Sequence, residues 1–477
     1  MSGVSYECVI GLEVHIQLTS VTKIFSPDAA AFGDEPNRHV SLISLAHPGT
    51  LPRLNDAVVE RAVRLGLACG GRINRKMSFD RKNYFYPDLP KGYQITQQRN
   101  PVVVGGEVRL PDGTRVAIHH MHLEEDAGKS VHEAGTGRSG MDFNRAGTPL
   151  VELVTEPCIR SAEDAAAFVS EIRRLVRFLG VSDGNMEEGS LRADANVSVR
   201  PEGTDRLGTK VEIKNMNSMR HLRSAIEFEV TRQVGLLRSG EAIVSETRLF
   251  DPAAGITMPM RTKEELNDYR YFPDPDLAPV VLTEDWLNEV SRAMPWTPDR
   301  YQTEFRVVFG LPEYDAGVLT SEPETAAYML ALCRCTAEYK AASNWMMGPV
   351  RNWCNDHPGM ALPVPPVRLA ELIDAVVRGV CAHAVAVRQI FPILLDKPES
   401  SLGDIVQSLG LADAPDRKEI EAIVADVLRI FPLKVEEYRK GKKGILAMFM
   451  GEVMKRTKGK ADPRVCTELI QEWLEKN

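Results

Sequence analysis

The hydrophobic period changes once along this chain, and the change limits what it can fold into. Up to about residue 290, stretches of period two are interleaved with helical stretches; beyond Pro273, Pro275 and Pro279 helical signals dominate. In segment 6–18, Val14, Ile16 and Leu18 point one way, and Glu13, His15 and Gln17 the other. Segment 191–200 sets Arg192, Asp194, Asn196, Ser198 and Arg200 against Ala195, Val197 and Val199. The turn-rich residues 201–208 lead into Lys210, Glu212 and Lys214, alternating with Val211 and Ile213. That pattern predicts a hairpin with one strongly charged face. A helix is predicted over 161–179, with Ser161 and Asp164 at capping positions and Gly180 as its stop, and another over 218–238, ending near Gly240.

Residues 295–405 read as helical, broken at Pro312, Pro323 and the Pro363–Pro366 segment. A last unit begins near Ala414-Pro415. Ile420, Ile423, Val424, Val427 and Leu428 form one helix face, ended by Pro432. Leu446, Phe449, Met450 and Val453 form a second face, and Val465, Leu469, Ile470 and Trp473 a third. Short one-sided helices must bury their faces on one another, which predicts a small bundle. A chain of 477 residues is longer than one core organises, so we expect an α/β (α+β) domain over 1–293, an all-α domain over 294–407 and a C-terminal helical bundle over 408–477.

Composition removes several classes of function. An apolar fraction of 43% with 26% charged residues belongs to a soluble globular protein. No run of eighteen apolar residues offers a membrane span, and the N-terminus lacks a basic stretch and an apolar core, so no secretion is expected. Eight scattered cysteines form no disulfide framework, which points to a reducing cytosol. The net charge of −8 argues against nucleic acid bound over the whole surface. Between residues 434 and 460, however, basic residues (Lys440, Lys442, Lys443, Lys455, Lys458 and Lys460 among them) face only Glu436, Glu437 and Glu452. Such a patch fits a phosphate backbone held at one place, and equally a solvated lysine-rich surface.

Carboxylates are dense among the apolar strand residues of the first domain. Glu13 and His15 share a strand face; Glu124, Glu125 and Asp126 lie together; Glu152 and Glu156 share a face; Glu187 and Glu188 precede Gly189-Ser-Leu-Arg192; Asp194 and Glu212 lie on the charged hairpin. Carboxylates on a common polar face repel one another, and a divalent cation or a basic partner relieves that repulsion. Carboxylates with one imidazole suit Mg²⁺ or Mn²⁺ better than a soft metal. Asp80-Arg-Lys-Asn-Tyr-Phe-Tyr-Pro87 and Asp142-Phe-Asn-Arg-Ala-Gly147 offer cations for phosphate or carboxylate groups. Gly128-Lys129-Ser130 resembles the end of a P-loop, but Leu123 stands where the first glycine belongs, so a P-loop is rejected. The His119-His120-Met-His122 cluster is not taken as a metal site, because adjacent strand residues point to opposite faces. No nucleophile elbow, dinucleotide fingerprint or Gly/Ser-rich amidase segment is present in the sequence.

Read as whole strings, these segments are much more specific. Gly11-Leu-Glu-Val-His15, Phe79-Asp-Arg-Lys-Asn-Tyr-Phe-Tyr-Pro-Asp88, His122-Leu-Glu-Glu-Asp-Ala-Gly-Lys-Ser130 and Asn144-Arg-Ala-Gly-Thr-Pro-Leu-Val-Glu152 resemble signature blocks of the GatB/GatE family. So do Met186-Glu-Glu-Gly-Ser-Leu-Arg-Ala-Asp-Ala-Asn196, Lys214-Asn-Met-Asn-Ser218, Asp268-Tyr-Arg-Tyr-Phe-Pro-Asp-Pro-Asp276 and, near the end, Val453-Met-Lys-Arg-Thr-Lys-Gly-Lys460. The blocks run in family order over nearly the whole chain, with small departures at Ala46-His-Pro-Gly49 and Asn267-Asp268. No synthetase-like insertion is visible, which places the likeness nearer the B than the E branch.

The resemblance implies a cradle-like first domain with a metal-dependent kinase site, a helical domain, and a tail that reaches tRNA. It implies ATP-driven activation of the side-chain carboxylate of Glu-tRNA(Gln) or Asp-tRNA(Asn), followed by amidation. Ammonia would come from a partner amidase (glutaminase) subunit, with a small clamp-like subunit completing a GatCAB heterotrimer. On that reading Glu13, His15, Glu125 and Glu152 are the expected metal ligands. Glu188, Asp194 and Glu212 would form a second acidic cluster, Glu188 being preferred to Glu187 for its parity with Asp194. Lys82, Arg145, Arg192 and Lys214 would hold ATP phosphates or the substrate carboxylate. Two other readings stay open at this point: a non-catalytic tRNA-binding scaffold with a structural metal, and a two-metal nuclease.

Overall fold

The computed structural model describes residues 4–132, 137–262, 269–410, 417–457, 461 and 463–476. It divides into two compact units, Met1–Thr297 and Pro298–Asn477. The first is mixed α/β around a large sheet, and the second is helical.

The strands that matter for the site are β1 (Tyr6–Gln17), β2 (Asp80–Asn83), β3 (Tyr93–Thr96), β4 (Arg115–Glu125), β5 (Pro149–Thr155), β6 (Leu191–Pro201), β7 (Val211–Lys214), β8 (Glu246–Asp251) and β9 (Ile256–Thr262). Among the described residues, the large sheet runs β9-β8-β7-β6-β1-β5-β4 and continues into the short strands Val103–Val104 and Arg72–Ile73. Every pairing is antiparallel except that of β7 with β8. β2 and β3 belong to a separate small sheet.

Alternation decides which face is which. Leu12, Val14 and Ile16 of β1, Val151 and Leu153 of β5, and Ala195 and Val197 of β6 are fully buried. They pack with apolar residues of the helices α1 (Asp56–Ala68), α2 (Ala162–Phe178) and α3 (Met219–Ser239) in one core. The opposite face keeps the polar residues, as an antiparallel sheet covered on one side should. The expected helix signals hold: the Ser161 side chain accepts from the Asp164 amide, the Ser218 side chain from the His221 amide, and Gly180 and Gly240 take positive φ just past the helix ends.

A second polar cluster is structural. Glu229 of α3 is fully buried and accepts from Arg232 at 2.7 Å, Gln233 at 2.9 Å and Thr257 at 3.0 Å, with Arg248 at 3.6 Å. Removing one member of a buried ionic group strands the others. Glu229→Ala should therefore destabilise the first unit by roughly 3–5 kcal/mol. Chemical denaturation of the variant measures this, and an unchanged midpoint would contradict it.

In the second unit the prolines start helices as well as breaking them. Pro312 precedes helix Glu313–Leu319, and Pro323 and Pro366 open Pro323–Cys333 and Pro366–Val377. After the undescribed residues 411–416, which include the expected start at Ala414-Pro415, the tail holds four described helices where the sequence suggests three faces. They are Arg417–Ile430, Pro432–Arg439, Ile445–Arg456 and Pro463–Lys476. Pro432 begins a helix of its own. Val424, Val427, Phe449, Val453, Leu469 and Ile470 join in an apolar cluster within these helices. Among the described residues no helix is long and apolar enough to cross a membrane.

Candidate active site

Register assembles the site from residues far apart in sequence. On β1, His15 stands opposite Glu152 of β5 and Arg192 of β6; Glu152 in turn stands opposite His122 of β4. Glu124, two residues beyond His122, shares its face. His15 Nε2 lies 3.4 Å from Glu152 and 3.6 Å from Glu124, and His122 Nε2 lies at the same two distances from these carboxylates. Donor atoms of His15, Glu124 and Glu152 all fall within 4.8 Å of one another.

This set fits a hard divalent ion: two carboxylate oxygens and an imidazole nitrogen converge from three neighbouring strands. Without such an ion the charges lean on each other. Burial alone would lower the His15 pKa, but Glu152 and Glu124 outweigh it and push the imidazole up to about 9. Burial raises the Glu152 carboxyl, yet His15, His122 and Lys82 hold it below the usual carboxylate range.

Glu125 is the ligand expected from the sequence; the structure brings Glu124 there instead. Glu125 turns to the opposite side, where its carboxylate pairs with Lys91 and accepts the Ile95 amide at 2.8 Å. The sequence does hold the signal. Met121 and Leu123 are core residues, so strand parity sends Glu125 inward and Glu124 to the polar face.

His122 is absent from the residues expected at the site, because the sequence reading set aside the His119-His120-Met-His122 cluster on the ground that adjacent strand residues diverge. In the fold His120 pairs with Val154 and Ile118 with Thr155, so His119 is an extra residue in a β-bulge. The bulge lets the rings of His119 and His120 meet, with nitrogens 2.7 Å apart, and His120 reaches His122 at 3.1 Å.

The second acidic group forms in part. Glu13 faces Asp194, and Asn196 faces Glu212, in register across β1, β6 and β7. Lys214 Nζ bridges Asp194 at 2.5 Å and Glu212 at 2.8 Å, and the Asn196 amide donates to Glu13 at 2.9 Å. Burial, then the charges of Glu152 and Glu212, raise the Glu13 carboxyl. Glu188 does not join them: it is exposed in the turn before β6, outside the strand whose parity recommended it.

Of the expected cations, Lys82, Arg192 and Lys214 lie beside these groups and Arg145 does not. Lys82 of β2 lies with its ammonium 4.8 Å from the Tyr269 ring centroid; burial opposes its charge, but Glu124, Tyr271, Tyr269 and Glu152 outweigh it and raise its pKa. Arg192 Nη2 donates to Asp126 at 2.9 Å, while its buried Nε has no partner. Arg145 donates to the Ala127 and Gly128 carbonyls at 2.9 and 2.6 Å, so it braces the loop after β4 and stays outside the His15 group.

In the tail, Lys440 and Lys442 make long surface pairs with Glu436 and Glu437, at 3.8 and 3.3 Å. Lys443 lies 4.5 Å from the Tyr438 ring centroid, and Lys455 is exposed on the last turn of its helix. Lys458 and Lys460 lie outside the described residues.

Comparison with known proteins gives the family. Residues 8–288 match the family model described as the GatB/GatE catalytic domain, and residues 327–474 match the GatB domain. The chain is 46% identical over 494 residues to a protein of Salinibacter ruber, covering 98% of this chain and 97% of the relative. It is 46% identical over 478 residues to one of Alkalilimnicola ehrlichii (98% and 99%), and 46% identical over 488 residues to one of Burkholderia cenocepacia (98% and 99%). Each of these relatives is named as the B subunit of an aspartyl/glutamyl-tRNA(Asn/Gln) amidotransferase. Matched along nearly its whole length, the chain belongs to the GatB/GatE family.

Proposed function

We propose that this chain activates the carboxylate in a tRNA-dependent amidotransferase, converting Glu-tRNA(Gln) or Asp-tRNA(Asn) to Gln-tRNA(Gln) or Asn-tRNA(Asn). The observation that carries the reading is the convergence of His15, Glu124 and Glu152 from three strands, with Lys82 and Arg192 beside them. A carboxylate is a poor electrophile. Transfer of the ATP γ-phosphoryl group to it releases ADP and leaves an acyl phosphate; ammonia then attacks the acyl carbon, phosphate departs and a proton is lost.

Phosphoryl transfer asks for positioning and charge neutralisation more than for covalent help. His15, Glu124 and Glu152 would hold Mg²⁺ or Mn²⁺, which supplies Lewis-acid charge neutralisation at the phosphates. Glu13, Asp194 and Glu212 form a second oxygen-rich group along the same face. Lys82 and Arg192 would bind phosphate or substrate carboxylate, and Lys214 keeps Asp194 and Glu212 together. Arg145 orders the loop that follows Glu125.

Partners follow from the chemistry. Ammonia would be made by an amidase partner, with a small third chain completing a heterotrimer in the cytoplasm. We also assign separate roles to residues 294–407, a helical connector, and 408–477, a tRNA-gripping tail; the apolar cluster within the tail helices supports that division.

The test is the reconstituted complex, assayed for ATP cleavage and amidation with each mischarged tRNA. ATP cleavage should require mischarged tRNA, and the tRNA should stay intact. The chain by itself should not hydrolyse glutamine. His15→Ala should lower Mn²⁺ affinity and ATP cleavage by at least about tenfold, the lower end of the cost of removing a metal-site group. Undiminished cleavage in that variant would remove His15 from the site, and absence of tRNA-dependent cleavage in the parent would leave a scaffold.

A further inference from the structure

Three histidines cluster on β4, and the activation chemistry leaves two of them without a role. His122 faces Glu124 and Glu152. His119 and His120 lie before it on the strand, His119 exposed and His120 half-buried.

The bulge is what brings these two rings together. In a regular strand adjacent side chains leave on opposite faces, so neighbouring imidazoles cannot share a ligand. Here the ladder gains a residue at His119. His120 stands opposite Val154 on one side and Val104 on the other, and the His119 carbonyl accepts the Gly105 amide at 3.0 Å. The backbone of the bulge is thus held from both neighbouring strands. The rings meet edge to face, at 79° with centroids 4.9 Å apart, which puts Nδ1 of His119 2.7 Å from Nδ1 of His120.

That separation suits a single metal ion. Ring nitrogens ligate such ions at about 2.0–2.1 Å, so ligands at right angles stand about 2.9 Å apart and tetrahedral ones about 3.3 Å apart. The observed 2.7 Å is nearer the right-angled arrangement, which Ni²⁺ and Cu²⁺ adopt. A shared hydrogen also holds two nitrogens at this distance, but the surroundings favour a cation. Burial, then His122 and His119, hold the His120 pKa down to about 4, so at neutral pH its ring carries no extra proton for a metal to displace. Its far nitrogen, Nε2, lies 3.1 Å from Nδ1 of His122, whose ring stacks on it with 17° between the planes. A hydrogen bond at the far nitrogen is what orients a metal-ligating imidazole. An imidazole pair suits Ni²⁺, Cu²⁺ or Zn²⁺, whereas His15, Glu124 and Glu152 offer mainly oxygen, so the two groups select different ions.

We propose that Nδ1 of His119 and Nδ1 of His120 chelate a late first-row divalent ion, Ni²⁺ or Cu²⁺, at a site separate from the oxygen-rich group around His15. Water would complete the coordination sphere. The site does not depend on the activation chemistry proposed above.

The test uses the full-length chain without an affinity tag, in excess Mg²⁺, titrated with Ni²⁺ by equilibrium dialysis. Late ions also compete for oxygen-rich sites, so variants of both groups are compared. A Ni²⁺ site should be present in the parent and kept in His15→Ala. Its affinity should fall at least about tenfold in His119→Ala and in His120→Ala, the lower end of the cost of losing a metal-site group. His119 is exposed, so His119→Ala should leave thermal stability unchanged and Mn²⁺ affinity within about twofold of the parent, as surface exchanges do. Electron paramagnetic resonance of the Cu²⁺-loaded chain should show coupling to ring nitrogens that weakens in His119→Ala. Absence of Ni²⁺ binding by the parent overturns the proposal. So does Ni²⁺ binding that His119→Ala leaves unchanged, whether or not His15→Ala abolishes it. A loss in only one of the two histidine variants reduces the site to a single imidazole and overturns the chelate.

Discussion

Glu124→Gln is expected to cut mischarged-tRNA-dependent ATP cleavage by roughly 10²–10³-fold, the usual cost of losing one well-placed electrostatic group at a reacting centre. Thermal stability should fall less than activity does, because the exchange relieves repulsion between Glu124 and Glu152 but also weakens the contacts of Glu124 with His15 and His122, both at 3.6 Å. Amidation should fail equally when free ammonia replaces glutamine, since activation precedes ammonia attack. The neighbouring exchange gives a different signature. Glu125 is buried and paired with Lys91, so Glu125→Gln leaves an ammonium without its counter-charge. Breaking a fully buried pair costs about 3–5 kcal/mol; Lys91 keeps some access to solvent, which reduces the expected loss to roughly 1–3 kcal/mol. Side-by-side measurement of Mn²⁺ affinity and unfolding midpoint in the two variants decides the matter. Should Glu125→Gln lose the metal and Glu124→Gln keep it, the assignment of faces on β4 is wrong.

Charge reversal at Lys440, Lys442 and Lys443 should raise the KM for mischarged tRNA at least about tenfold at moderate salt, since each phosphate no longer neutralised keeps its counterions. The logarithmic dependence of tRNA affinity on salt should flatten by roughly 0.7–0.9 for each such phosphate, or about two to three overall. The turnover number at saturating tRNA should hold, because contacts to the phosphate backbone position the substrate without entering the chemical step. The pairs with Glu436 and Glu437 are surface pairs worth little, so the tail helices should survive the exchange. Glutaminase activity of the assembled complex without tRNA is the control. Unchanged tRNA affinity and salt dependence in a stable, soluble variant would return the patch to an ordinary solvated surface.

Local pattern alone determined a good deal of this molecule. Strand alternation revealed that Glu13 and His15 share a face, that Asp194 faces the same way as Arg192, and that Glu212 and Lys214 lie on a charged strand. Helix caps located Ala162–Phe178 and Met219–Ser239, and the signature strings identified the family. These features repeat every two or every 3.6 residues, or sit at a helix end, so nearby residues are enough to display them.

What pairs with what was decided by the tertiary structure. Nothing local says that His15 lies opposite Glu152, because register is set between strands more than a hundred residues apart, nor that Glu152 lies opposite His122. A single extra residue at His119 inverts the parity of all that follows on β4 relative to Val116 and Ile118. Counting from the start of that strand therefore misassigns Glu124 and Glu125, and at the same place the expected divergence of His119 from His120 is lost. Glu188 fails for a related reason: its parity is counted back through a turn that is not extended chain. The bundle faces of the tail are legible, yet the helix beginning at Pro432 is not, because proline reads as a stop until its place in the first turn of a new helix is seen. Sequence determined which residues face the polar side wherever the strand is regular; the sheet's register and the bulge at His119 decided which of them meet, since those depend on packing between distant segments.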